Sequence, residues 1–362
     1  MLSTTEIGGL TSNQIAGLSA TGIGGLAATQ IAALSSAGIS GLTSSGIAAL
    51  SPTQLSALSS TQIGGLLDTG LGAMSTTQLA SLSSTQLGGI ATTAITGLSS
   101  TQLGALTTFQ LRGLTATEVG ALATTQIGSL SSTQLAALGT TALAGLTATQ
   151  AAALNTTQFG VLQTTQIAAL SPGAITGLTS TQIGNLNGTQ FGALTSIQIG
   201  ILTQSQLGAL STTQISLINA TQASGLTSTE LAALSSSQLQ ALSAAGLGAL
   251  TAQAVSGLTD TQMAALGTTQ LANLAQTQIA GLSATAVSGL TSDQLAALST
   301  TQFTALSATG FAGLSASQIA GFSTTQIELL SAGEVKGLTS NQMAALSATQ
   351  LAAFGPTQIA SR

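Results

Sequence analysis

Leu50-Ser51-Pro52-Thr53-Gln54-Leu55-Ser56-Ala57 holds every signal that starts a helix. Ser is a preferred N-cap, because its side-chain oxygen can accept from an N–H group that the first helical turn leaves unpaired. Pro52 then falls at N1, where a missing N–H is no loss and the fixed φ suits the helix. Gln54 stands three residues after Ser51, and Ser-x-x-Gln is a capping box, in which the two residues satisfy each other's backbone donors. Leu50 before the cap and Leu55 at N4 form the apolar pair of a hydrophobic staple.

The same register fills the chain in both directions. Leucines recur every eight residues from Leu2, Leu10 and Leu18 onward, without insertion, to Phe354, which makes 45 octads. Five places after each Leu runs a second apolar column, from Ile7, Ile15 and Ile23 to Ile359; Ala151 and Ala223 are its smallest members. The consensus is Leu-Ser-Thr-Thr-Gln-Ile-Ala-Gly. With no linker and no shift in composition, residues 1–362 read as one uninterrupted array without separate domains. The expected core is Leu2, Ile7, Leu10, Ile15, Leu18 and Ile23 and their successors. The expected N-caps are Ser3, Thr11, Ser19, Ser51 and Ser171, with Glu6, Gln14 and Gln54 as capping-box partners.

Rare residues test that register. Pro172 and Pro356 also follow the cap place directly, after Ser171 and Gly355. Asp68, Asp260, Asp293, Glu6, Glu118, Glu230 and Glu334 lie at N1 to N3, while Arg112 and Lys336 lie late in their octads. Acids early and bases late match the helix dipole; Glu328, in the seventh place, is the exception. The eighth place is mostly Gly or Ala, suited to a C-terminal reversal or to a close helix contact.

These signals predict an all-α solenoid of very short capped helices, one per octad. A continuous helix would let the apolar stripe drift by about 80° in each octad, and coiled coils need repeats of seven or eleven. A plain strand would turn the two apolar columns to opposite faces. A β-solenoid with turns inside each octad is the alternative, since Thr and Ile favour strands. A helix of about six residues is far shorter than the roughly 12–15 that is marginal alone. A lone octad therefore cannot fold, and cohesion must come from stacked neighbours. The number of helices in each superhelical turn is not fixed by these arguments.

Composition narrows function. Charged residues are 3% of the chain and the formal net charge is −5, against about 25% charged in an ordinary soluble domain. There is no His, Cys, Trp or Tyr. The absence of His and Cys removes the usual metal, haem and disulfide chemistry and the common catalytic triads. Three basic residues cannot neutralise a phosphate backbone, so no nucleic-acid partner is expected. Polar residues interrupt the chain too often for a membrane span, and the first residues lack the basic and apolar regions of a secretory signal. No cofactor is expected and no enzymatic role.

Other motifs read as structure. Glu6, Glu118, Glu230 and Glu334 could form a sparse carboxylate row, but each also fits as a capping-box Glu. Asp68-Thr69-Gly70 lacks the other acidic ligands of a calcium loop. Gly8-Gly9 and Gly24-Gly25 lack the Lys and strand–helix context of a phosphate loop. Sequons begin at Asn155, Asn187 and Asn219 in a Thr-rich chain where chance matches are common. The Thr column at N2, including Thr5, Thr21, Thr29, Thr53, Thr61, Thr69 and Thr77, would face solvent as an array of methyls and hydroxyls.

The octads Leu82-Ser-Ser-Thr-Gln-Leu-Gly-Gly89 and Leu210-Ser-Thr-Thr-Gln-Ile215 resemble repeat tracts of very large bacterial surface proteins, often labelled haem-utilisation or adhesion proteins. The resemblance covers essentially the whole chain. It implies an extracellular or cell-surface location, by an unknown export route, and adhesive or structural work. It supplies no haem ligand here, since Met74, Met263 and Met343 sit in apolar columns. The array starts right after Met1 and breaks off at Arg362 without polar caps, so it is expected either to continue in a longer chain or to stack on other copies. The partner expected is therefore the chain itself, in a filament, stalk or adhesin. A surface-binding module that presents a Thr/Gln face to glycans, cells or ice is the alternative.

Overall fold

A computed structural model describes residues 2–361. It contains 45 helices, one in each octad, from α1 (Thr4–Gly8) to α45 (Pro356–Ala360). Each is four to six residues long, and among the described residues there is no strand. The all-α solenoid is the architecture, and the β-solenoid is set aside.

Two extended residues separate a six-residue helix from the next; shorter helices add one or two residues before them, the first of which is right-handed, as at Gly9 and Ala32. Leu130 (φ −64°, ψ 134°) and Ser131 (φ −66°, ψ 159°) show the pattern: the Leu leaves one helix and the cap residue enters the next. No described residue, Gly included, has a positive φ. The left-handed reversal that an eighth-place Gly allows is therefore not used; Gly9 is right-handed at φ −86°. These glycines serve close approach instead. A Cβ on Gly113 would collide with the backbone of Ser84, and one on Gly145 with that of Ala116.

The helices fall into two compact units, Met1–Asn185 and Leu186–Arg362. Within each, a helix packs on the one three places ahead. Examples in the first unit are α1 on α4 (Ala28–Ile31) and α19 (Ala148–Ala153) on α22 (Pro172–Gly177). Examples in the second are α28 (Ala220–Ala223) on α31 (Ala244–Ala249) and α42 (Ala332–Gly337) on α45. One superhelical turn is thus three octads. Every third octad lies on the same side of its unit, directly above its predecessor.

The two apolar columns face different layers. The Ile column is closed from the first turn, with Ile7 0% and Ile15 and Ile23 each 1% exposed. The Leu column is not: Leu2 is 46% exposed, and Leu10 and Leu18 are half-buried. These three are corrections to the expected core. Each Leu packs against the turn before its own, which the described residues do not supply for the first three octads; Leu26, in the fourth, is still half-buried. In the last turn the pattern inverts. Leu346 and Phe354 are buried, whereas Leu351 and Ile359, of the second column, are exposed. A layer therefore offers its Leu residues to the layer behind and its Ile residues to the layer ahead. Aromatic substitutions fit the same columns. Phe303, Phe311 and Phe322 meet edge-to-face, with centroids 5.1–6.3 Å apart, a favourable arrangement of ring quadrupoles. Phe109, outside the columns, is exposed.

Candidate functional site

Each helix begins with an extended cap residue whose side chain reaches into the first turn. Ser3 Oγ accepts from Glu6 N–H at 3.3 Å, and Glu6 Oε2 accepts from Ser3 N–H at 2.7 Å. Thr11 with Gln14, and Ser51 with Gln54, repeat this two-way box. Ser19 and Ser171 cap Gly22 and Ala174 N–H groups at 3.1 and 3.2 Å, but those residues have no side-chain oxygen to return the bond. At Ala27, Ala123 and Ala275 only the other half remains, the N–H of the cap residue donating to the Gln oxygen. Leu67 takes the cap place of α9 (Asp68–Gly72) without a side-chain bond, and Asp68 accepts from Thr69 N–H at 2.7 Å.

The Gln residues do more than the capping box requires. Most are buried, and the amide nitrogen turns away from its own helix toward the layer below. Gln54 Nε2 donates to Leu26 O at 2.7 Å and Gly24 O at 3.2 Å. Gln150 donates to Leu122 O at 2.6 Å and Val119 O at 2.8 Å. In the second unit, Gln262 and Gln294 do the same with Leu231, Leu234, Met263 and Leu266. The accepting carbonyls are that of the linking Leu and one from the last turn of the helix before it; the latter, as at Val119, Leu231 and Met263, also accepts from the N–H of the linking Leu. One side chain thus closes the N-terminus of its own helix and the C-terminus of a helix one turn back. Ser36 and Ser44 add layer-to-layer bonds to Thr61 O and Thr69 O, each at 3.2 Å.

Sequence reasoning placed Gln in the box and missed this ladder. The signal was available: Glu completes a capping box as well as Gln, yet Gln dominates the column, and the amide accepts at one atom and donates at the other, which an ionised carboxylate cannot do.

The acidic residues separate accordingly. Glu6 is exposed, and the N–H of Ser3, then its hydroxyl, holds the carboxyl below its ordinary pKa against a small opposing effect of burial. Glu118 is 2% exposed. Its Oε2 accepts from Thr115 N–H at 2.6 Å and from the Thr115 hydroxyl at 2.8 Å, while Oε1 is buried without a partner. Burial pushes its carboxyl above the ordinary pKa, against hydrogen bonds at Thr115 and the backbone of Ile90. Glu118, Glu230 and Glu334 each close a box within one helix. Among the described residues no group of three acidic side chains could hold a metal ion.

The outward surface is built from the N2 column. Three octads per turn place Thr5, Thr29, Thr53, Thr77, Thr101, Thr125 and Thr149 on one side of the first unit, all exposed. A second side carries Thr21, Ser45, Thr69, Thr93, Thr117, Thr141 and Thr165, also exposed. The third side is interrupted by Asn13, Ala37 and Phe109. The expected Thr/Gln face is corrected on one point: most Gln residues of the column turn inward, and the outward N2 places carry mainly Thr. Among the described residues no helix is long and apolar enough to cross a membrane.

With this geometry in view, a family model described as the ALTTAQ repeat matches the chain twice, at residues 95–132 and 159–196. The chain is a repeat protein. No curated protein matches it.

Proposed function

We propose that this chain is a structural repeat protein that forms or extends an extracellular bacterial filament, stalk or adhesin, by self-association end to end and side to side. The observation that carries the reading is the one-way layer. Each turn offers Leu residues and Gln amides to the turn behind, and Ile residues and helix-end carbonyls to the turn ahead. Two different, mutually complementary faces that do not close on themselves generate open fibres rather than rings or dimers. The sides carry hydroxyls and amides and few charges, a surface with little electrostatic repulsion between copies. No catalytic step and no cofactor belong to this reading. The resemblance of the octads to repeat tracts of bacterial surface proteins supports the extracellular assignment, which labelling of intact source cells with an antibody to the chain would test.

Sedimentation velocity and negative-stain microscopy over a concentration series test the assembly. Elongated species that lengthen or bundle with concentration are expected. Short monodisperse particles at every concentration would refute it. The Thr/Ser rows of the first unit, from Thr5 to Thr149 and from Thr21 to Thr165, favour a second reading, in which a side of the solenoid binds glycans or ice. Glycan-array binding or thermal hysteresis, lost when one row is changed to Lys, would establish that reading; absence of both leaves the scaffold alone.

A further inference from the structure

The ladder has one place where its chemistry is inverted. In α15 (Ala116–Ala121) the residue at the Gln position is Glu118. Where Gln54, Gln102, Gln134 and Gln150 direct an NH2 group at the carbonyls of the turn below, Glu118 directs Oε1, buried and without a partner. The carbonyl at the corresponding ladder place, 28 residues earlier as in those pairs, is that of Ile90; the hydrogen bond from the Ile90 backbone favours the ionised carboxyl, and burial outweighs it. An ionised carboxylate there sets acceptor against acceptor in a site closed to water, which is costly. A neutral carboxyl removes the conflict, because its O–H donates as the amide N–H does.

We propose that Glu118 is a proton-held joint: it keeps its proton in the folded array, donates it in a hydrogen bond to the Ile90 carbonyl, and loosens the stacking of α15 on α12 (Thr92–Ile95) when the proton is lost. No other titratable group faces it. The helices packed on α15, which are α12 and α18 (Thr140–Leu143), contain no charged residue, and neither does the following α16 (Thr124–Ser129). Arg112, at the end of the preceding α14 (Thr108–Leu111), is exposed. No charge contributes to the raised pKa of Glu118. The sign follows from linkage. A carboxyl whose folded pKa is raised gives its full stabilisation below the unfolded value near 4.5, and that stabilisation is lost as pH rises through the folded pKa. The device therefore tightens the array in acid and relaxes it toward alkaline pH.

The test uses the full chain, Glu118→Gln, and Glu6→Gln as the exposed control. Infrared difference spectra are expected to show a protonated carboxyl that persists to higher pH than the other acids, absent from E118Q and retained in E6Q. Hydrogen-exchange protection across α12 and α15 should fall with rising pH in the parent chain, by about tenfold for each unit of pKa elevation, and stay level in E118Q. Titration of Glu118 together with the exposed acids, or the same pH profile of protection in the parent and E118Q, would overturn the proposal. Because Gln stands at this position in most octads, E118Q removes the charge without removing the fold.

Discussion

Adjacent octads in the first unit show what the ladder requires. Gln110 in α14 and Glu118 in α15 both complete a capping box with Thr, at Thr107 and Thr115. Within the helix they are equivalent. Between layers they are not: Gln110 Nε2 donates to Leu79 O and Leu82 O, each at 2.8 Å, while Glu118 Oε1 has nothing to accept from. Cohesion in this solenoid thus depends on a donor in the side chain that caps, and local helix signals do not distinguish a residue that has one from a residue that lacks it.

The sharpest way to break the contrast is to extend the Glu118 situation. Gln150→Glu should remove the three layer bonds to Val119, Gly120 and Leu122 and bury an acceptor opposite them, at a cost of about 3 kcal/mol at neutral pH, with partial recovery in acid. Hydrogen-exchange protection of α15 and α19 measures it; unchanged protection would mean that the ladder contributes nothing. Next in size is the close approach of layers. Gly113→Ala, directed at the Ser84 backbone, should cost about 1–3 kcal/mol. Gly104→Ala, with no neighbour within 4 Å, should be neutral or stabilise by up to about 1 kcal/mol. Thermal melts of the pair decide whether small residues serve packing or merely end helices.

Caps come third. Ser51→Ala should cost about 1 kcal/mol through the lost bond to Gln54 N–H, and less where Gln still ties the cap-residue N–H, as it does at Ala27. Thr53→Ala, two residues on and solvent-facing, should stay within about 0.5 kcal/mol. Equal losses at the two positions would end the distinction between cap and surface. The smallest effect belongs to Glu6. Its lowered pKa means that its contribution is present above the unfolded value and lost as pH falls through the folded one. Its titration by carboxyl NMR should run opposite in sign to that of Glu118.

Much of this was legible from residues alone. Pro52, Pro172 and Pro356 fixed N1, and Ser or Thr three places before Gln fixed the box, because capping is a local exchange of hydrogen bonds within four residues. The Ile column was legible as core for the same reason of register. Leu2, Leu10 and Leu18 were misplaced because a column's burial depends on which layer covers it, a fact of stacking rather than of pattern. The glycines were read as allowing either reversal or contact, and only the backbone angles at positions such as Gly9, with the crowding at Gly113, decide for contact. The inward turn of Gln was hidden because its second partner lies three octads or more away.

The sequence by itself determined the helices, their starts, their length and their inability to stand alone, since those follow from short-range hydrogen bonding and an unbroken period of eight. Tertiary structure alone decided that three helices make a turn, that Leu and Ile face opposite layers, and that the amide of Gln joins one turn to the next. Those outcomes depend on which helix-end carbonyls come within hydrogen-bonding reach after stacking, and no periodicity along the chain encodes that distance directly.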